Sequence, residues 1–187
     1  CFLLPGTVWL IWNKGMIADK AYKVRHIIWI YIYLFYGYLA VQEAAGIGTI
    51  WDLIAYGKLD NSINLIPFSS EGAMTYILNI IMFMPLGFLL PLIWKNFRNA
   101  KKVVLMGFLM SLAIEICQLF NIRTTDIDDL MMNTLGTLVG YCCWKVFSLI
   151  FRNAGTKCVE MKKSEPVIYM FGGILGLFLL YNWRVFN

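Results

Sequence analysis

The sequence predicts an all-α protein, a polytopic bundle of membrane-spanning helices with a polar pocket at its outer face. Three observations carry this expectation. The 187 residues are 60% hydrophobic and only 14% charged, with a mean hydropathy of +0.67, whereas soluble domains are about 45–50% apolar and about 25% charged. The apolar residues fall in runs close to the roughly 20 residues that cross a bilayer core. The basic residues gather in alternate loops between those runs. A chain of this length in one bundle reads as a single domain, residues 1–187.

Five runs are expected to span. Ile27 to about Gly48 is rich in Tyr, Trp and Phe. Met74 to Trp94 carries Asn79, Pro85 and Pro91 but no charge. Val103 to Phe120 contains Glu115 and Gln118. Leu130 to Phe151 contains Lys145 near its far end, and Val167 to Trp183 is the last. Before them, Phe2 to Trp12 is apolar but too short to cross. It reads as the remaining half of a sixth span or as a re-entrant piece. The chain opens on Cys1, so a trimmed start is expected, and no lipobox is visible to support lipidation. The five cysteines show no CxxC spacing, and Cys117, Cys142 and Cys143 read as small buried hydrophobes.

The loops give an orientation. Stretches 13–26, 95–102 and 152–166 each hold four Lys or Arg residues, 12 in all, while the alternate loops hold Lys58, Arg123 and Arg184. Lys145 can snorkel to the side of the 12. The positive-inside rule puts those three stretches in the cytoplasm and loop 121–130 outside. The net charge of +5 is therefore topological, and no nucleic-acid partner is expected. In the long outer loop, "IWDLIAYGKL" is expected to lie flat as an interfacial helix. The following "NLIPF" holds Pro67, which favours extended backbone before it, and reads as a turn or a re-entrant tip.

Polar side chains within the spans are informative because a carboxylate at mid-bilayer costs about 2.5–3.5 kcal/mol. Glu115 lies five residues before Phe120, about 7 Å below the outer end of its helix. Ser111, Glu115 and Gln118 share one face. Asn79 and Asn133 each lie one turn into their spans from the outer side. Above them, "RTTDIDDLMMN" packs an arginine and three carboxylates into seven residues. With a helix start near Thr125, Asp126, Asp129, Asn133, Gly136 and Gly140 form one stripe, and Asp128 points elsewhere. The GxxxG of Gly136 and Gly140 lets a neighbour approach closely, either the Glu115 helix or the Asn79 helix. The expected pocket is walled by Asn79, Glu115, Gln118, Asp126, Asp129 and Asn133, with Arg123 at the rim and "NLIPF" as a lid.

Plainer readings stand beside each of these. Thr125 with Asp128 resembles a capping box, and acids suit a helix N-terminus. Glu115 paired with Arg123 would be a structural ion pair. Asn79 and Asn133 would serve as interhelical hydrogen-bond glue, and Pro85 as a simple kink. His26, the single histidine, is expected in a cytoplasmic loop without a catalytic role.

The ordered motifs "INLIPF", "NIIMFMPLGFLLPLIW", "SLAIEICQLF" and "RTTDIDDLMMNTLGTLVGY" resemble the VanZ-like family from Ile63 to Tyr141. The family pattern falls on Asn64, Pro67, Phe68, Asn79, Pro85, Gly87, Glu115, Gln118, Arg123, Asp126, Asp129, Asn133 and Gly136. The resemblance implies a bacterial cytoplasmic-membrane protein and, as the family's best-known phenotype, low-level resistance to teicoplanin-type glycopeptides. It implies no settled reaction.

Three functions remain open from the sequence. The favoured one is binding: an outward pocket of acids and amides that takes a glycopeptide, a lipid head group or a cell-wall precursor, with Asn64 and Phe68 contributing from the loop. The alternative is an enzyme on an envelope lipid, with Glu115, Asp126 and Asp129 holding a divalent cation or serving as general acid and base. A transporter ranks last, because the inner half of the bundle lacks a matching polar path.

Overall fold

The computed structural model describes residues 1–13, 20–56, 63–68, 72–120, 125–151 and 162–182. Seven α-helices run in order among these residues: α1 (Leu3–Asn13), α2 (Lys20–Tyr38), α3 (Ile50–Tyr56), α4 (Ala73–Ile93), α5 (Ala100–Gln118), α6 (Ile127–Ile150) and α7 (Glu165–Leu180). Helix α2 continues as a π-helical segment, Leu39–Ala45. It stops at Gly46, whose φ of 62° closes the turn through a bond from its N–H to the Val41 carbonyl, a conformation that glycine adopts without steric cost. A single 3-10 turn, Lys95–Phe97, joins α4 to α5. Asn99 caps α5 by accepting from the Lys101 N–H, which satisfies one of the helix's orphan donors.

The all-α expectation and the helix order hold, and the segment expected to lie flat is helical over Ile50–Tyr56 as α3. The number of spans is narrower than expected. Among the described residues, two stretches are long and apolar enough to cross a bilayer, Lys23–Gln42 and Ala73–Ile93. Helix α7 is apolar but 16 residues long. Helix α5 carries Lys101, Lys102 and Glu115, and α6 carries Asp128, Asp129, Asn133 and Lys145. The polar side chains that make these helices interesting also dilute their apolar character.

Exposed apolar rows nevertheless run along several helices. They include Ile28, Ile32 and Phe35 on α2, Ile77, Leu78 and Ile81 on α4, and Val146, Leu149 and Ile150 on α6. Contiguous surfaces of this kind are unfavourable in water and normal against hydrocarbon or a partner. The interior is filled by Tyr33, Phe83, Leu86, Leu90, Trp94, Met110 and Tyr169, among others.

Helices α4 and α6 form the tightest pair in the bundle. A Cβ on Gly136 would lie 2.3 Å from the Ile80 carbonyl oxygen, and one on Gly140 would lie 2.0 Å from that of Met84. The GxxxG therefore faces the Asn79 helix, not the Glu115 helix. Thr137, on the other edge of α6, sits over Gly107 of α5, so α6 is wedged between α4 and α5.

The end of the bundle where α7 begins is tied by Glu165, which is fully buried there. Its carboxylate accepts from His26 Nε2 at 2.9 Å, Trp94 Nε1 at 3.0 Å and the Tyr169 hydroxyl at 3.1 Å. His26 is thus a buried residue of α2 and not a loop residue. The expected loop 13–26 is helical from Lys20 onward, and the His26 ring of α2 and the indole of Trp94, the C-cap of α4, converge on that one carboxylate.

Candidate functional site

Two short segments far apart in sequence meet at the end of the bundle where α4 begins and α5 stops. Ile63–Asn64 (β1) pairs in parallel with Thr125–Asp126 (β2), Ile63 opposite Thr125 and Asn64 opposite Asp126. This bridge joins the "NLIPF" and "RTTDIDD" motifs. Asn64 donates from Nδ2 to Asp126 Oδ2 at 3.1 Å, and its Oδ1 accepts from the Ile66 N–H at 3.1 Å, which turns the chain. The segment read as a turn or a re-entrant tip is therefore a strand followed by a turn.

Asp126 is the N-cap of α6, with extended backbone at φ −124° and ψ 133°. Its Oδ1 accepts from the Asp128 N–H at 2.9 Å, the geometry expected of a cap. The expected stripe assumed a helix from Thr125. The helix begins at Ile127 instead, so Asp126 lies outside it and owes its position to the strand pairing. Glu115, 4% exposed, accepts from the Asp126 N–H at 3.3 Å through Oε2. The Thr125 hydroxyl donates to the Glu115 carbonyl at 3.4 Å. The cap of α6 is thereby bolted to the C-terminal end of α5.

Asp128, set aside in the sequence reading, is the most enclosed acid at this end, with 0% exposure. Both of its oxygens accept from the Phe68 N–H at 2.9 Å, and Oδ2 also accepts from the Tyr76 hydroxyl at 2.9 Å. Phe68 has φ of 60°, a left-handed conformation that costs a bulky residue about 1–2 kcal/mol. Its side chain stays 64% exposed and meets the Tyr76 ring edge-on at 6.0 Å. Phe68 enters the site through its backbone, and Asp128 is what holds it there. One signal was available: Pro67 leaves the Phe68 N–H as the next donor in a turn, and a donor beside an outer acid needs an acceptor.

The remaining expected residues are distributed over three helices. Asn79 on α4 donates to Asp129 Oδ1 on α6. Asn133 on α6 donates to Ser111 Oγ on α5 at 2.9 Å. Asn133 is 3% exposed, and its Oδ1 has no hydrogen-bond partner. Gln118 donates to the Ala45 carbonyl at 3.0 Å, which bonds its amide to the end of the π-helical segment. Arg123 lies outside the described residues, as do Lys58 and Cys158.

Several of the expected polar side chains bond to one another across these segments. A groove of about 450 Å³ lies between α5 and α6, lined by Val104, Phe108, Ile127, Leu130 and Leu138 among others. A second cavity of about 390 Å³ lies between α1 and α7, against Trp9, Trp12 and Lys162. Neither is lined by the expected site residues. Among the described residues no three His, Cys, Asp or Glu side chains converge to hold a metal ion. Glu115, Asp126 and Asp129 are therefore not brought together as a three-carboxylate group. The Asp128 oxygens are already engaged by Phe68 and Tyr76. What the arrangement offers chemically is acceptors: Glu115 and Asp128 are buried carboxylates met only by neutral N–H and O–H donors among the described residues.

The family model described as VanZ/LLP1 matches residues 27–150, a range that includes every residue of the site and leaves out α1 and α7. Protein VanZ of Enterococcus faecium is 34% identical over 134 residues, covering 71% of this chain and 77% of that protein. No solved structure matches the chain. With the match spanning most of the chain and all of the polar cluster, the protein belongs to the VanZ/LLP1 family.

Proposed function

We propose that this protein contributes to resistance against teicoplanin-type glycopeptides by binding the polar group of an envelope amphiphile at the outer end of the bundle. One observation supports this most directly. Residues from five separate segments, Asn64, Asn79, Glu115, Asp126 and Asn133 with Asp128 and Asp129, meet in one buried acceptor-rich cluster. Buried acids at a membrane boundary are costly, and capping explains Asp126 but not Glu115 or Asn133. Exposed Leu65, Ile66 and Phe68 beside the cluster suit the boundary with lipid, where an amphiphile would arrive.

The finer topology belongs to the same reading. The five long apolar runs cross the membrane, stretches 13–26, 95–102 and 152–166 face the cytoplasm, and loop 121–130 faces outward. The test is susceptibility of a glycopeptide-sensitive Gram-positive host expressing wild type, Glu115→Gln or Asp129→Asn at matched membrane levels. Wild type should raise the inhibitory concentration of teicoplanin, and both variants should lose most of that gain. Equal protection by all three would refute a role for the cluster.

A further inference from the structure

The cavity of about 390 Å³ between α1 and α7 lies at the opposite end of the bundle from the polar cluster, beside the buried Glu165. Its size is usual for a ligand pocket, about 300–1,000 Å³. Trp9, Trp12, Asn13 and Lys162 line it toward the end of the bundle, and Pro5, Val8 and Ile168 line it further along the helices. The lining thus grades from polar and aromatic to apolar over about 12 Å of α1, from Asn13 to Pro5. Trp9 is held edge-on against Tyr169 at 5.3 Å, and Tyr169 is itself fixed by its bond to Glu165. Trp12 is 86% exposed, a placement that suits the boundary between lipid and water. Lys162 has no ion pair among the described residues. No described residue accepts from the Trp9 or Trp12 indole N–H, whereas the Trp51 and Trp94 indoles both have acceptors. The charge around the cavity is one-sided. Lys95, Arg98, Lys101, Lys102 and Lys163 share this end with Lys162. Among the described residues the one carboxylate there is Glu165, already bonded by His26, Trp94 and Tyr169.

From this we infer that the α1–α7 cavity binds an anionic phospholipid, with the Lys162 ammonium and the Trp9 and Trp12 indoles facing its phosphate and Pro5, Val8 and Ile168 facing the start of its acyl chain. The lining offers donors and positive charge, which call for an anion with several acceptor oxygens. A cationic head group would meet like charge and find no open carboxylate. A neutral head group would gain nothing from Lys162. A zwitterionic lipid brings a phosphate but also an ammonium, which the surrounding lysines repel. A free phosphate would leave the apolar half of the cavity in water. Basic pockets between helices at a membrane boundary recognise anionic lipids in this way. All seven lining residues lie outside the 27–150 match to the family model, so the site is carried by the flanking helices and does not depend on the function proposed above.

The test uses the full chain in detergent, with lipid adducts counted by native mass spectrometry. Phosphatidylglycerol presents its phosphate as the only charge, and phosphatidylcholine presents the same phosphate beside an ammonium. Glycerol phosphate presents the head group without chains and serves as the soluble competitor. Wild type should retain phosphatidylglycerol about fivefold better than phosphatidylcholine, which is about what one lysine contributes near an anionic lipid surface. Lys162→Gln should abolish that preference, and Lys162→Arg should keep it. Trp12→Ala should lower retention of both lipids. Lys101→Gln removes the same charge from the same end without touching the cavity, and the preference should survive it. Circular dichroism and a melting curve on each variant separate loss of the site from loss of fold. Equal retention of the two lipids by wild type overturns the inference. So does an equal loss of preference in Lys162→Gln and Lys101→Gln, which would mark diffuse surface charge. Displacement of the lipid by glycerol phosphate at equal concentration also overturns it, because the site would then take a free phosphate. The susceptibility test of the polar cluster reads different residues, so the two proposals fail separately.

Discussion

Replacing Asp128 with alanine removes the acceptor that holds the "NLIPF" turn against α6. Two donors lose their partner, the Phe68 N–H and the Tyr76 hydroxyl, both at 2.9 Å. A hydrogen bond to a charged acceptor contributes about 1.5–3 kcal/mol, so the pair contributes about 3–6 kcal/mol. Against this stands the strain released when Phe68 leaves its φ of 60°, about 1–2 kcal/mol for a bulky side chain. The net loosening is about 1–5 kcal/mol and falls on the loop, because α6 keeps its Asp126 cap. Local opening of that size accelerates amide exchange by about 5- to 5000-fold. Hydrogen exchange by mass spectrometry on peptides covering Ile63–Phe68 reads it directly. Asp128→Asn retains an acceptor and should show a clearly smaller effect. Exchange in the alanine variant within about threefold of wild type would refute the idea that Asp128 pins this turn.

Three further outcomes follow from the packing. Glu165→Ala strands the His26, Trp94 and Tyr169 donors at the start of α7 and should cost about 3–5 kcal/mol, as breaking a buried pair does; thermal melting in detergent measures it. Gly140→Ala places a Cβ 2.0 Å from the Met84 carbonyl oxygen, so α4 and α6 must part by about 1 Å or more, at about 1–3 kcal/mol. Gly172→Ala is the matched control, since its Cβ meets only the Pro5 side chain at 3.3 Å, and it should melt within a few degrees of wild type.

The helices were legible because their signals are local. Apolar runs and the Asn99 cap act within a few residues, and most helices appear where those signals stand. The polar cluster was half legible. Position along the expected spans put Asn79, Glu115 and Asn133 near one end of the bundle, where the structure also carries them. Period failed at the start of α6 because it assumes that the helix has already begun. Strand pairing to Ile63–Asn64 holds Thr125 and Asp126 extended, which shifts the phase by two residues. Asp126 thereby becomes a cap, and Asp128 turns from a surface acid into a buried one.

The sequence by itself determined where the helices run, where charge is excluded, and which polar residues had to share an end. Only the tertiary structure decided which of two helices the GxxxG faces, that Asn64 and Asp126 bond across 62 residues, and that His26 reaches Glu165 across 139. The reason is physical. Hydrophobic period and capping depend on neighbours in the chain, whereas a buried hydrogen bond depends on which donors the folded bundle brings within about 3 Å, and no local pattern encodes that distance.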